Sequence, residues 1–291
     1  MTILVTGANG QLGRSVCERL AAADTPYLGL GSGALDIGDP AAVAARFNGE
    51  DYTAIINCAA YTAVDKAESE PELAYRVNQQ GAVHLAAAAL AANIPLLHVS
   101  TDYVFDGSKQ GPYTPEDATN PLGVYGASKL AGEQAIAASG CRYLIVRTAW
   151  VFSEHGNNFV KTMLRLGAQR DELSIVADQV GSPTYAGDLA ELLIKATVNM
   201  QAGPSAIDDK VVHFGGTPAC SWYEFAQAIF AAAQQADQLQ QPPRLKPIAT
   251  SDYPTAARRP ANSTLNSVAI EQLLNLPCCH WQIGLENTVK G

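Results

Sequence analysis

Five apolar runs punctuate the first half of the chain: "TILVT" from Thr2, "YLGLG" from Tyr27, "AIINCA" from Ala54, "PLLHVS" from Pro95 and "YLIVRTAW" from Tyr143. Each is 5 to 8 residues long. None alternates between apolar and polar positions, which is the pattern of strands buried on both faces. Between them lie helix-like stretches over Gln11–Ala22, Pro40–Phe47, Pro71–Ala92 and Pro121–Ala138. Three of these open on proline, whose fixed φ suits a first helical turn. Strand and helix in strict alternation predict an α/β fold with a parallel, doubly wound sheet.

After Trp150 the alternation becomes irregular. "NNFVKTMLRLGA" reads as an amphipathic helix, "LSIVA" as a short strand and "YAGDLAELLIKATVNM" as a helix with Asp188 and Glu191 near its start, where the helix dipole favours them. "KVVHFGG" is a further strand, and "SWYEFAQAIFAAAQQA" opens with Ser221 and Glu224, a capping box. "QQADQLQQPP" reads as a short linker. "QQPPRLKPIATSDYPTAARRPANSTL" is rich in proline and polar residues and reads as loops covering a substrate.

Composition narrows the class. The chain of 291 residues is 47% apolar and 16% charged, with a net charge of −9. That is a soluble globular composition with no basic patch for nucleic acid. No stretch reaches the roughly 20 apolar residues of a membrane span. "MTILVTGANG" enters a strand at once without a charged leader, so the expected location is cytoplasmic. The six cysteines form no Cys-x-x-Cys and the five histidines show no metal spacing, so free thiols and no metal are expected.

The candidate chemistry lies at the ends of the predicted strands. "VTGANGQLG" spaces Gly7, Gly10 and Gly13 three apart, directly after a strand and opening a helix. Small residues there let the backbone approach a pyrophosphate at a helix N-terminus. The second strand ends without the acid that would hold an adenosine ribose; Asp36 arrives a few residues late, as a cofactor contact or as an ordinary loop acid. A later strand ends at Ser100–Thr101, which places Thr101 in the same crevice, because parallel sheets present ligands at their carboxyl ends. In "VYGASKLAGEQA", Tyr125 precedes Lys129 by four residues, about 400° of helix rotation, so both share one face. The ammonium would lower the pKa of the phenol from its usual value of about 10.

A glycine triplet, a strand-end threonine and Tyr-x-x-x-Lys in this order resemble the extended short-chain dehydrogenase/reductase family. Within it, "GANGQLG", "AAYTAVDKAESEPELA", "VSTDYVFDG", "VYGASKLAGE", "RTAWVF", "GNNFVKTMLRL", "DQVGSPTYAGDLA" and "RRPANSTL" are similar to members that reduce dTDP-linked 4-keto sugars. The resemblance covers nearly the whole chain. It implies a Rossmann dinucleotide-binding domain over residues 1–150, with returning segments at about 171–200, and a smaller, mainly substrate-binding domain over 151–291. It implies that NADPH or NADH delivers hydride to carbon 4 of dTDP-4-dehydro-L-rhamnose, giving dTDP-L-rhamnose. Tyr125 would donate the proton, Lys129 would lower its pKa and hold the nicotinamide ribose, and Thr101 would hydrogen-bond the carbonyl oxygen. The cofactor side would comprise Gly7, Gly10, Gln11, Leu12, Gly13, Asp36, Ile37, Ala59, Ala60 and Thr62 together with Tyr125 and Lys129.

On the substrate side the resemblance implies Val64, Asp65, Thr101, Tyr103 and Trp150, with Asn158 and Arg259 toward the nucleotide. Arg259 is a physically sensible pyrophosphate ligand, or a surface arginine beside Arg258. Trp150 is a substrate contact or plain core, and Asp65 and Lys66 could form only a solvated helix start. Two departures stand out: Tyr61 occupies a position where the family often has histidine, and Arg14 and Ser15 stand near the place of acids that link some members into magnesium-bound dimers. The expectation is a monomer or homodimer without metal. The rivals are another nucleotide-sugar reductase, epimerase or dehydratase of the family, and a non-catalytic subunit like the regulatory subunit of methionine adenosyltransferase. Dehydratases follow the threonine with Asp-Glu, whereas here Asp102 precedes Tyr103.

Overall fold

The computed structural model describes residues 2–290. The first half runs β1 (Thr2–Thr6), α1 (Gln11–Ala22), β2 (Tyr27–Leu30), α2 (Pro40–Phe47), β3 (Tyr52–Asn57), α3 (Val64–Ala67), α4 (Pro71–Tyr75), a π-helical turn (Arg76–Gln80), α5 (Gly81–Ala92), β4 (Leu96–Thr101), α6 (Val124–Ala138) and β5 (Tyr143–Thr148). The second half continues with β6 (Val151–Phe152), α7 (Phe159–Gly167), β7 (Glu172–Val176), β8 (Val180–Gly181), β9 (Thr184–Tyr185), α8 (Ala186–Gln201) and β10 (Lys210–His213). It closes with β11 (Cys220–Ser221), α9 (Trp222–Gln235), β12 (Arg244–Ile248), β13 (Asn262–Ser263), α10 (Val268–Leu274) and α11 (Trp281–Lys290).

Six strands form one parallel sheet in the order β10-β5-β4-β3-β1-β2. Successive residues of each inner strand feed opposite cores, as the two-residue period requires. Val5, Ile56, Leu97 and Val146 pack with Val16 and Leu20 of α1 and Leu189 and Leu193 of α8. Leu4, Ile55, Leu96 and Ile145 pack with Val43 of α2, Leu85 of α5 and Ile136 of α6. β2 departs from the double burial its apolar run predicts: it is the edge strand, and all four residues stay half-buried. A separate core joins Phe152, Met163, Leu173, Phe225, Ile229 and Trp281.

Only part of the segment expected to return, about 171–200, packs on the main sheet. β7 pairs with β12, whereas α8 covers one face of the main sheet and β10 extends it beyond β5. The proline-rich stretch read as loops therefore contains a strand, and Pro247 is tolerated there because β12 lies at the edge of a two-stranded sheet.

Two helix boundaries also shift for local reasons. The helix expected to begin at Pro121 begins at Val124, whose N–H donates to Glu68 Oε1 at 2.8 Å. The helix expected over Pro71–Ala92 carries a π turn at Arg76–Gln80. Its buried Asn78 accepts from the Tyr61 N–H at 2.8 Å and donates to Ser128 Oγ at 3.0 Å. Together these bonds tie the segment after β3 to α6, a structural use of the bulge.

Candidate active site

A cavity of about 710 Å³ opens along the carboxyl ends of the main sheet strands. Its first wall is the turn between β1 and α1. Gly7 has φ +66°, and a Cβ there would lie 2.6 Å from the Ala59 nitrogen. A Cβ at Gly13 would overlap the Gly7 carbonyl oxygen. Only glycine allows this approach of turn, helix and β3. The N-cap Gly10 offers no side-chain cap, and the first turn of α1 has no acid. The helix therefore leaves N–H groups and positive potential facing the cavity, which fits a pyrophosphate.

Gln11, Leu12, Asp36, Ile37, Ala59, Ala60 and Thr62 line the same cavity. Asp36 accepts from Arg76 Nη1 at 2.6 Å, and this pairing holds its carboxyl below the usual range. Arg76 also lines the cavity and has no signal in the sequence pattern, because it reaches Asp36 from the π turn. A carboxylate suits a ribose hydroxyl and an arginine a ribose phosphate, so the pair fits either dinucleotide.

Thr101 ends β4, and Tyr125 and Lys129 lie on the first turns of α6, all facing the cavity. Burial pushes the Tyr125 phenol up to about 12, with the Thr101 hydroxyl opposing and Asp102 reinforcing the rise. This corrects the expectation that Lys129 lowers it. Lys129 is turned toward β4 instead: Nζ donates to the Val99 carbonyl at 2.7 Å and lies 3.1 Å from His98 Nε2. Burial brings Lys129 down to about 8. Asp102, absent from the sequence-based candidates, accepts from Thr101 Oγ1 at 2.9 Å. Its Oδ2 is buried without a partner, and burial raises the carboxyl to about 6.

The far end of the cavity is aromatic. Tyr103 meets Tyr125 edge to face at 5.4 Å. Trp150 adopts φ +48°, a strained conformation for a bulky residue, and stacks on Trp222 at 3.4 Å. Val64 and Asn158 also line the cavity. Asn158 caps α7 through Lys161 N at 3.0 Å and donates to Gln11 Oε1 at 2.8 Å, so it lies against the glycine turn.

The family model described as RmlD substrate binding domain matches residues 1–291. The dTDP-4-dehydrorhamnose reductase of Aggregatibacter actinomycetemcomitans is 46% identical over 286 residues, covering 98% of this chain and 97% of the relative. The chain belongs to the dTDP-4-dehydrorhamnose reductase family. Two solved dTDP-4-dehydrorhamnose reductases share its fold throughout. The one from Clostridium acetobutylicum has a TM-score of 0.90 at 39% identity, over 99% of this chain and 98% of that one. The one from Bacillus anthracis, solved in complex with NADP, has a TM-score of 0.89 at 38% identity over the same shares.

Three features distinguish this dTDP-4-dehydrorhamnose reductase family member from the expected site. Asp65 and Arg259 do not line the cavity; they grip each other through two bonds, Nη1 to Oδ1 at 3.1 Å and Nη2 to Oδ2 at 2.9 Å. Tyr61, at the departing position, donates its hydroxyl to Glu70 at 2.6 Å and stays out of the cavity wall. Near Arg14 and Ser15, Glu18 of α1 meets Glu154 and His155, with His155 Nε2 2.9 Å from the Glu18 carboxylate. Spacing could not reveal this cluster, because residues distant in sequence form it. No helix among the described residues is long and apolar enough to cross a membrane.

Proposed function

We propose that the chain is an NAD(P)H-dependent oxidoreductase that reduces the 4-keto group of dTDP-4-dehydro-L-rhamnose, yielding dTDP-L-rhamnose. The observation that carries this reading is the shared cavity of Thr101, Tyr125, Lys129 and the glycine turn. Family membership supports the substrate, and the NADP complex of the Bacillus anthracis relative supports the cofactor class. The sheet with α8 and β10 serves as the dinucleotide unit, and most of the remainder after Trp150 as the substrate unit.

Gly7, Gly10 and Gly13 with the α1 N-terminus would hold the pyrophosphate, and Asp36 with Arg76 the adenosine ribose. When bound, the reduced cofactor supplies a hydride. Tyr125 holds the proton destined for the new hydroxyl, and a phenol pushed up to about 12 keeps that proton at neutral pH. Thr101 orients the keto oxygen, and Asp102 orients Thr101. Tyr103, Trp150 and Val64 form the apolar seat for the sugar, which excludes water.

The rivals lose ground at particular residues. Elimination needs a further acid after Asp102, where the chain has Tyr103 packed on Tyr125. A non-catalytic subunit has no use for a buried lysine beside a half-buried tyrosine that faces the cavity. The deciding assay follows oxidation of NADPH or NADH with enzymatically made dTDP-4-keto sugar; no oxidation of either would sink the proposal.

The Asp65–Arg259 pair adjoins the substrate end, close enough for both charges to act on Tyr103. A dTDP sugar brings two negative charges to a chain already at −9, and Arg259 can answer them only by exchanging Asp65 for the pyrophosphate. Lysine cannot reproduce the two-pronged grip of a guanidinium. Arg259→Lys should raise KM for the nucleotide sugar about tenfold, the loss of one charge-assisted contact. KM for the cofactor should stay unchanged. Steady-state kinetics with each substrate varied in turn decides it, and equal rises would make the pair a structural tether.

A further inference from the structure

A line of buried polar side chains crosses the sheet beneath Lys129. Thr6 on β1, Asn57 on β3, His98 on β4 and Lys129 on α6 are each 1% exposed. Asn57 Oδ1 accepts from Thr6 Oγ1 at 2.6 Å and from the Ala59 N–H at 3.0 Å. A backbone N–H can only donate, so the Asn57 oxygen is fixed on that side and its NH₂ group faces His98 Nδ1 at 2.9 Å. Nδ1 must then be the acceptor, without a proton. A neutral imidazole carries one N–H, which has to sit on Nε2.

Nε2 faces Lys129 Nζ at 3.1 Å. An ammonium has three donors and no acceptor, so an N–H aimed at it sets donor against donor. A neutral amine has a lone pair that can receive it. A doubly protonated His98 fails twice, since it would oppose the Asn57 NH₂ group as well as Lys129. Burial and the lysine charge indeed hold His98 well below its usual range.

We propose that Asn57 and His98 form a tautomer lock that disfavours the ammonium form of Lys129 and thereby sets the alkaline limit of the reductase. This deepens the reading of Lys129 as a site residue and rests on it. Lys129 is the cation on the helix face that Tyr125 occupies. At rest burial, not Lys129, sets the Tyr125 phenol. Once Tyr125 has given up its proton in the cavity that both residues line, a charged Lys129 offsets the phenolate charge and a neutral one does not. Turnover should therefore fall as pH rises through the Lys129 pKa, well below the value of about 10.4 for an ordinary lysine.

The other titratable groups facing Lys129 are few. Glu133, one turn along α6, and Cys58, after β3, both favour its charge, while burial opposes it in the same sense as His98. Glu133 is itself held by Arg147 at 2.7 Å, and burial keeps the Cys58 thiol neutral. Tyr125 is a neutral phenol, and Asp102 acts on Tyr125.

The test has two readouts. In ¹⁵N-labelled wild-type chain, the His98 ring should show a bare Nδ1 and a protonated Nε2. Asn57→Asp removes the NH₂ group, so the new carboxylate would accept from Nδ1–H and release Nε2 to accept from the ammonium. The alkaline limb of kcat should then move up by roughly one pH unit or more. A wild-type proton on Nδ1 overturns the lock, and so does an unmoved limb in Asn57→Asp. If that variant does not fold, the wild-type tautomer still decides. Full turnover in Tyr125→Phe would sink the site reading alone, because the tautomer is read without turnover.

Discussion

Tyr125→Phe is expected to lower turnover by about 10²- to 10⁴-fold, the usual contribution of a positioned acid. Cofactor affinity should stay close to that of the unaltered chain. The phenyl ring keeps the edge-to-face contact with Tyr103 at 5.4 Å and loses only the hydroxyl beside Thr101. The hydroxyl is suited to its task by an enclosed position that holds the proton until the sugar oxygen needs it. Titrating the variant with NADPH and timing a single turnover separates binding from chemistry. Retention of half the activity would remove Tyr125 from the mechanism.

The second large effect concerns stability. Glu133→Ala should cost roughly 3–5 kcal/mol, because it strands a buried cation. The Glu133 and Arg147 side chains are 4% and 5% exposed and are joined by bonds of 2.7 Å and 3.0 Å. Arg147 Nη1 already has no partner, so nothing nearby can replace the lost carboxylate. Ser100 also donates to Glu133, so the pair fixes the end of β4 where Thr101 projects. The midpoint of urea unfolding measures the loss. Replacing both partners with apolar residues of similar size should recover most of it. A loss under about 1 kcal/mol would mean that water reaches the pair.

The parallel sheet was legible because its inner strands are continuous apolar runs, and the glycine turn because its spacing sits between strand and helix. Thr101, Tyr125 and Lys129 followed from strand ends and helix periodicity. What escaped was carried by residues whose partners are distant in sequence. Arg76 reaches Asp36 across 40 positions, and His155 reaches Glu18 across 137. Asn57 and His98 left a faint mark, each a polar residue inside an apolar run, but only the sheet register puts them side by side. The direction of the Tyr125 shift is not legible in the sequence, because spacing shows which face a lysine shares and not where its amine turns. β12 was missed because an exposed edge strand shows little apolar signal.

The place of β10 bears on how the chain must be made. The edge of β5 waits for a partner that appears only at Lys210–His213, after the whole excursion from β6 through α8. Synthesis runs from the N-terminus at about 5–20 residues per second, so the ribosome exposes this edge for several seconds. A nascent chain ending at Trp150 also lacks α8, which leaves the face of Val5, Val16, Ile56 and Val146 only partly covered, by α1. An open edge beside a partly covered apolar face invites pairing with other chains. The early half of the molecule therefore stays open to such pairing until its later half arrives to close it.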